Sequence, residues 1–104
     1  MSRPFSYNDE NFTVIGNVLF CHIKINEPLE IDDVIAEIPP EIYYRLIQET
    51  VMGTISRKFG MNVFDVYKLS AYVSEEDGKY YLKTLDLLNG AYFIFTAYMF
   101  LKDI

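Results

Sequence analysis

The sequence predicts an all-β protein, an antiparallel sandwich or barrel, and three observations carry that prediction. Runs rich in Val, Ile, Phe, Tyr and Thr recur roughly every dozen residues, separated by turn-forming clusters. Two pairs, Asp77-Gly78 and Asn89-Gly90, stand where a hairpin needs a residue of positive φ. No stretch carries a long apolar stripe at helical spacing. A chain of 104 residues has room for one core. The expected organisation is a polar arm over 1–11 and a sandwich over 12–104.

The elements follow in order. Phe12 to Ile25 favours strand, and Gly16-Asn17 marks a bulge or turn that splits it. Period-two alternation places Ile15, Leu19, Cys21, Ile23 and Ile25 on one face, and Phe12, Val14, Val18, Phe20, His22 and Lys24 on the other. A polar loop over 26–33 leads to a short apolar run, Val34 to Ile38, which Pro39-Pro40 ends because neither residue donates to a ladder. Residues 41–48 suit a helical turn or a plain turn, leading into a strand at about 45–56 with Gly53 inside it. Residues 58–62 are a connection. Val63 to Ser74 and Lys79 to Leu85 flank the Asp77-Gly78 turn as a hairpin, and Leu88-Asn89-Gly90 offers a second turn before a last strand, Ala91 to Leu101.

That last strand is apolar on both sides. One face reads Ala91, Phe93, Phe95, Ala97, Met99 and Leu101; the other reads Tyr92, Ile94, Thr96, Tyr98, Phe100 and Lys102. A strand in a free-standing antiparallel sandwich shows one face to water. Either a loop or helix of the same chain covers the outer side, or neighbouring subunits do. Burying roughly 1,000 Å² of apolar surface per chain contributes about 25 kcal/mol gross, from which association entropy and side-chain ordering subtract much. The expected subunit contact is therefore Val18, Phe20, Tyr92, Ile94, Tyr98 and Phe100.

Composition narrows the function. Hydrophobic residues make up 51% of the chain, too many for a disordered segment, and no apolar run is long enough to span a membrane. The opening residues lack an apolar signal core, so no classical secretion is expected. A net charge of −6 with scattered Lys and Arg argues against nucleic acid. Cys21 is the only cysteine, which excludes an internal disulfide and reads as a small buried hydrophobe. The only histidine, His22, is its neighbour, and adjacent strand residues point to opposite faces, so they form no dyad. No phosphate-cradling or metalloprotease motif occurs. The acids Glu27, Glu30, Asp32, Asp33 and Glu37 match no known calcium-loop spacing, and nothing singles out two carboxylates for glycan cleavage. Neither catalytic residues nor a metal or other cofactor are expected. The doublets Tyr43-Tyr44 and Tyr80-Tyr81 suit sugar stacking or protein contact if their outer rings are free, and ordinary strand composition otherwise.

Several pieces stand in a suggestive order: Asn17-Val-Leu-Phe20, then Pro28-Leu-Glu-Ile-Asp-Asp-Val-Ile-Ala-Glu-Ile-Pro39, then Tyr44-Arg45, Asp77-Gly78 and a closing Gly90-Ala-Tyr-Phe-Ile-Phe95. This order resembles the knob domains that end bacteriophage fibres, which share a jelly-roll-like sandwich with the complement globular-head and tumour-necrosis-factor trimers. The stretch from Phe5 to Gly16 is similar to small virion proteins of crAss-like gut phages. The resemblance covers about Phe12 to Leu101 and is one of pattern, without an invariant motif. It implies a homotrimer displayed on a virion, its last strand lining or approaching the threefold axis.

Only about a dozen residues precede Phe12, so a knob of this kind is expected at a short head fibre or an adhesin tip, docked onto a separate stalk protein through residues 1–11, with Phe5 and Tyr7, or through the base of the sandwich. Contact with a host-surface glycan or receptor is a further expectation, without named residues. The competing readings are a small acidic phage-encoded regulator or inhibitor that binds a host protein and, third, a depolymerase. No membrane insertion is expected.

Overall fold

The computed structural model describes residues 5–103; residues 1–4 of the expected arm, and Ile104, lie outside them. The chain is nearly all-β, as the sequence predicts. Its strands are β1 (Tyr7–Asn8), β2 (Phe12–Ile15), β3 (Val18–Ile25), β4 (Val34–Ile38), β5 (Thr50–Lys58), β6 (Phe64–Glu76), β7 (Lys79–Thr84) and β8 (Phe93–Phe100), with one helical turn, α1 (Pro40–Tyr43), between β4 and β5. All pairings are antiparallel, in the order β1-β2-β3-β8-β5-β6-β7-β4. The sheet curls on itself in a sandwich-like fold, so that Leu19, Cys21 and Ile23 of β3 share one core with Ile38 of β4 and Leu82 of β7.

Alternation builds the inner layer. Along β8, Phe93, Phe95, Ala97 and Met99 are buried while Tyr98 and Phe100 face out. Along β5, Val51, Gly53 and Ile55 point inward, and Leu69 and Ala71 do so on β6. The period of two in these strands is the sequence pattern made solid.

Two turns decide the register. Asp77 and Gly78 both take positive φ, 52° and 81°, the two-residue turn that joins β6 to β7 with matched twist. Gly16, at φ 65°, opens another two-residue turn, and Ile15 pairs with Val18 across it. That pairing corrects the expected faces. Cross-strand partners share a side, so a two-residue turn moves Phe12 and Val14 into the core and sends Ile15 outward, where uninterrupted alternation put the reverse.

The expected turn at Asn89-Gly90 is not a hairpin. β7 pairs with β6 and β4, β8 with β3 and β5, so residues 85–92 cross between the two halves of the sheet. Leu88 anchors the crossing through two backbone hydrogen bonds with Leu29, at 2.8 and 2.9 Å. Ala91 and Tyr92 therefore lie outside the strand, and Tyr92 has a left-handed φ of 67°. Residues 45–49 also fall outside β5: the chain leaves α1 through Tyr44 and a bridge between Leu46 and Leu101 before Thr50 begins the strand.

The segment before Phe12 is folded onto the sheet. Tyr7 and Asn8 pair with Val14 and Thr13 as an edge strand. Asp9 closes the turn behind them by accepting the N–H groups of Asn11 (2.8 Å) and Phe12 (2.7 Å) and the Tyr7 hydroxyl (2.8 Å).

Candidate functional site

The outer face of β2, β3 and β8 is the most apolar surface that those strands leave uncovered. Val18 pairs with Phe100 and Phe20 with Tyr98, bringing four of the six expected contact residues into one block. The Phe20 and Tyr98 rings lie 5.1 Å apart in a tilted arrangement. Tyr98 and Phe100 remain 65% and 55% exposed, and Val18 and Phe20 are half-buried. Ile15, 76% exposed and paired with Val18, extends the block on one side. On the other side Met52, exposed, shares the outward parity of Thr54 on β5.

The remaining two expected residues stand apart. Ile94 is half-buried between Lys24 and Ser56, its cross-strand partners, toward the far end of β8. Tyr92 is exposed but leaves the strand altogether, so the alternation that grouped it with Tyr98 and Phe100 does not apply to it. Ile15 and Met52 were missed. Met52 was legible, since it alternates with Val51 and Gly53. Ile15 required knowing the length of the turn at Gly16.

Phe5 and Tyr7 pack half-buried against the core, and the Arg45 guanidinium lies 4.1 Å over the Phe5 ring. The inner sides of both rings are packed on their own chain and their outer sides are half-exposed.

Three of the four doublet tyrosines meet in a second place. Tyr43 and Tyr44 lie on α1 and its end, not on a strand, and Tyr43 stacks on Tyr80 at 3.8 Å. The hydroxyls of Tyr44 and Tyr80 are 2.7 Å apart, and this bond, with burial and the neighbouring charges, pushes the Tyr80 phenol up to about 12. Beside them lies a groove of about 330 Å³ lined by Tyr43, Tyr44, Leu46, Gln48, Glu49 and Lys102. Tyr81 points elsewhere, near Lys83.

The groups that could do chemistry are dispersed. Cys21 is buried and His22 faces out, as strand parity requires. Burial pushes the Cys21 thiol up to about 12, the wrong direction for a nucleophile. In the acidic loop, the Asp33 carboxylate accepts the Glu30 N–H (2.8 Å) and closes the loop on itself, and the Asp32 carboxylate accepts the hydroxyl of Tyr72 on β6 (2.8 Å) and ties the loop to that strand. Among the described residues no three His, Cys, Asp or Glu side chains converge as metal ligands.

Compared with known proteins, the chain matches no family model, no curated protein and no solved structure.

Proposed function

We propose that this chain is a non-enzymatic structural subunit of a bacteriophage virion, a fibre-tip knob that assembles as a homotrimer through the outer face of β2, β3 and β8. One observation carries the reading. The block of Ile15, Val18, Phe20, Tyr98 and Phe100 is apolar and contiguous across three strands, and the described residues leave Ile15, Tyr98 and Phe100 exposed and Val18 and Phe20 half-exposed. An exposed apolar patch of this kind marks an interaction surface, and rigid aromatic rings suit the centre of one. A ring of copies closed about a threefold axis buries such patches without leaving a growing end.

The connectivity supports the finer, jelly-roll-like form. β3 pairs with β8, whereas β4, its successor in sequence, pairs with β7 in the other half of the sheet. Chain crossings of this sort between two sheet halves are the habit of jelly rolls. A stalk protein, also phage-encoded, and a host-surface glycan or receptor are the remaining partners of the reading.

Light scattering on the purified protein tests the assembly. A mass of about 37 kDa, three times the 12.2 kDa chain, is the expected result. A monomer at micromolar concentration removes the trimer and leaves the acidic-regulator reading in its place. Immunogold labelling of purified virions tests the location, and particles without label remove the structural role.

A further inference from the structure

The β5–β6 hairpin ends in an apolar apex that the trimer reading does not use. The first five residues of β6, Phe64 to Lys68, are all exposed; Ile55 and Tyr67 still pack on the body through β8 and the Phe93 ring, and the hairpin projects beyond them. Its three-residue loop, Gly60-Met61-Asn62, is closed by the Phe59 N–H donating to the Val63 carbonyl at 2.8 Å, with positive φ at Gly60 and Asn62. Met61 at the apex is 84% exposed. Phe59, Val63, Phe64 and Val66 behind it are exposed as well, and they cover both sides of the ribbon, since successive residues alternate.

The charge of this hairpin is opposite to that of the molecule. Arg57, Lys58 and Lys68 against the single Asp65 give residues 57–68 a net +2 in a chain of −6, so the rest carries −8. The two leading cations sit just behind the apex, for Lys58 pairs with Phe64 and Arg57 with Asp65. The acidic turn Glu75-Glu76-Asp77 lies at the other end of β6, about 40 Å away at 3.3 Å per residue. That is several Debye lengths of about 8 Å at physiological salt. A surface meeting the apex therefore meets the hairpin's positive charge ahead of that turn's negative charge.

We propose that this apex is a membrane-contact site that inserts into an anionic lipid surface. A protein partner would need a groove shaped to a convex tip, and a docking surface uses one side of a ribbon. Lipid wets every side, and here apolar residues are found on every side. The depth agrees: two residue pairs separate the apex from Lys58, about 7 Å along the ribbon, within the roughly 5–10 Å to which interfacial segments bury. At that depth Lys58 reaches the headgroup layer, where basic side chains meet anionic lipid, while the Arg57 guanidinium lies 5.5 Å over the Phe93 ring of the body and adds its charge from behind. β1 begins near the Gly16 turn and runs away from it, so the described chain starts at the opposite end of the sheet from the hairpin. A body held by that end would present the hairpin outward. The absence of a spanning run gave no warning of this, because a hairpin tip contributes only a few residues to the membrane.

Vesicle co-flotation tests the proposal, with phosphatidylcholine alone and phosphatidylcholine mixed with phosphatidylglycerol. The full chain is expected to float with the mixed vesicles, to be released by high salt and to ignore phosphatidylcholine alone. Met61→Asp and Lys58→Glu are each expected to weaken flotation about tenfold with unchanged melting temperature, since both residues are exposed. Three outcomes overturn the site: no flotation, flotation indifferent to both variants, or a change in particle mass on Met61→Asp, which would make the apex a contact between copies. Light scattering on the same samples reads the trimer separately, so that failure of either idea leaves the other standing.

Discussion

Gly53 lies against the ring of Phe95. A Cβ at Gly53 would stand 2.3 Å from Phe95 Cε2 and 2.6 Å from the Thr96 carbonyl oxygen, so a buried aromatic of β8 packs where β5 has no side chain. Phe95 is fully buried and pairs with Ile55. Neither the buried ring nor the backbone oxygen can give way cheaply. Gly53→Ala is expected to destabilise the fold by about 2–3 kcal/mol, at the upper end for overpacking, as read from urea denaturation. Loss of less than about 0.5 kcal/mol would place Phe95 elsewhere.

Phe100→Glu places a carboxylate within the outer block, at the end of β8 and across from Val18. Phe100 is half-exposed in the single chain, so the subunit's own fold should be little affected. Burial of an unpaired charge between subunits is strongly unfavourable. The expected result is a smaller particle by light scattering, or aggregation, with the secondary structure retained. Tyr92→Glu is the internal control. Tyr92 sits off the strand and beyond the opposite end of β8, and its replacement should leave the particle mass unchanged. The reverse pattern would move the contact to the other end of the sheet.

How far the sequence reaches can be judged from these residues. The buried face of β8, the end of β4 at Pro39 and the Asp77-Gly78 hairpin were legible, because each depends on local alternation or local turn chemistry. The side on which Ile15 falls was not, because a turn of two residues and a bulge of one differ by a single step that composition does not reveal. The Asn89-Gly90 segment was misread for a different reason. Its local chemistry suits a hairpin, but the choice between pairing with β7 and crossing to β3 and β5 is made by distant strands. The tyrosine cluster was hidden in the same way, since Tyr80 is far in sequence from Tyr43 and Tyr44. The aromatics of the hairpin apex were visible as residues, but not as a projection.

The Tyr44–Tyr80 hydrogen bond gives the fold an alkaline weakness. The Tyr80 phenol is raised from 10.0 to about 12 in the folded chain, which means that folding favours its protonated form. Its contribution is fully present below pH 10 and is lost as pH rises through about 12. The Tyr7 phenol, which donates to Asp9, is raised to about 12 as well and adds in the same direction. Stability should therefore fall with pH across this window. Tyr44→Phe removes the partner hydroxyl at an exposed position, and an ultraviolet titration should then show one tyrosine ionising closer to 10. An unchanged titration curve would mean that the two hydroxyls are not bonded.

Cys21 offers a readout of the β3–β8 pairing itself. It pairs with Ala97 on the inner face, has no exposed surface, and its thiol is pushed up to about 12 by burial alone. At neutral pH it is protonated and sheltered, and a thiolate in reach of solvent is what alkylating reagents require. The native chain should resist iodoacetamide, whereas the denatured chain should take up one equivalent per molecule. Because β3 sits between β2 and β8, exposing Cys21 means separating strands that also carry the outer block of Val18 and Phe20. Labelling of the assembled protein should then be slower than labelling of Phe100→Glu, if subunits clamp that block from outside. Fast labelling of both would show that β3 opens readily and that no neighbour holds it.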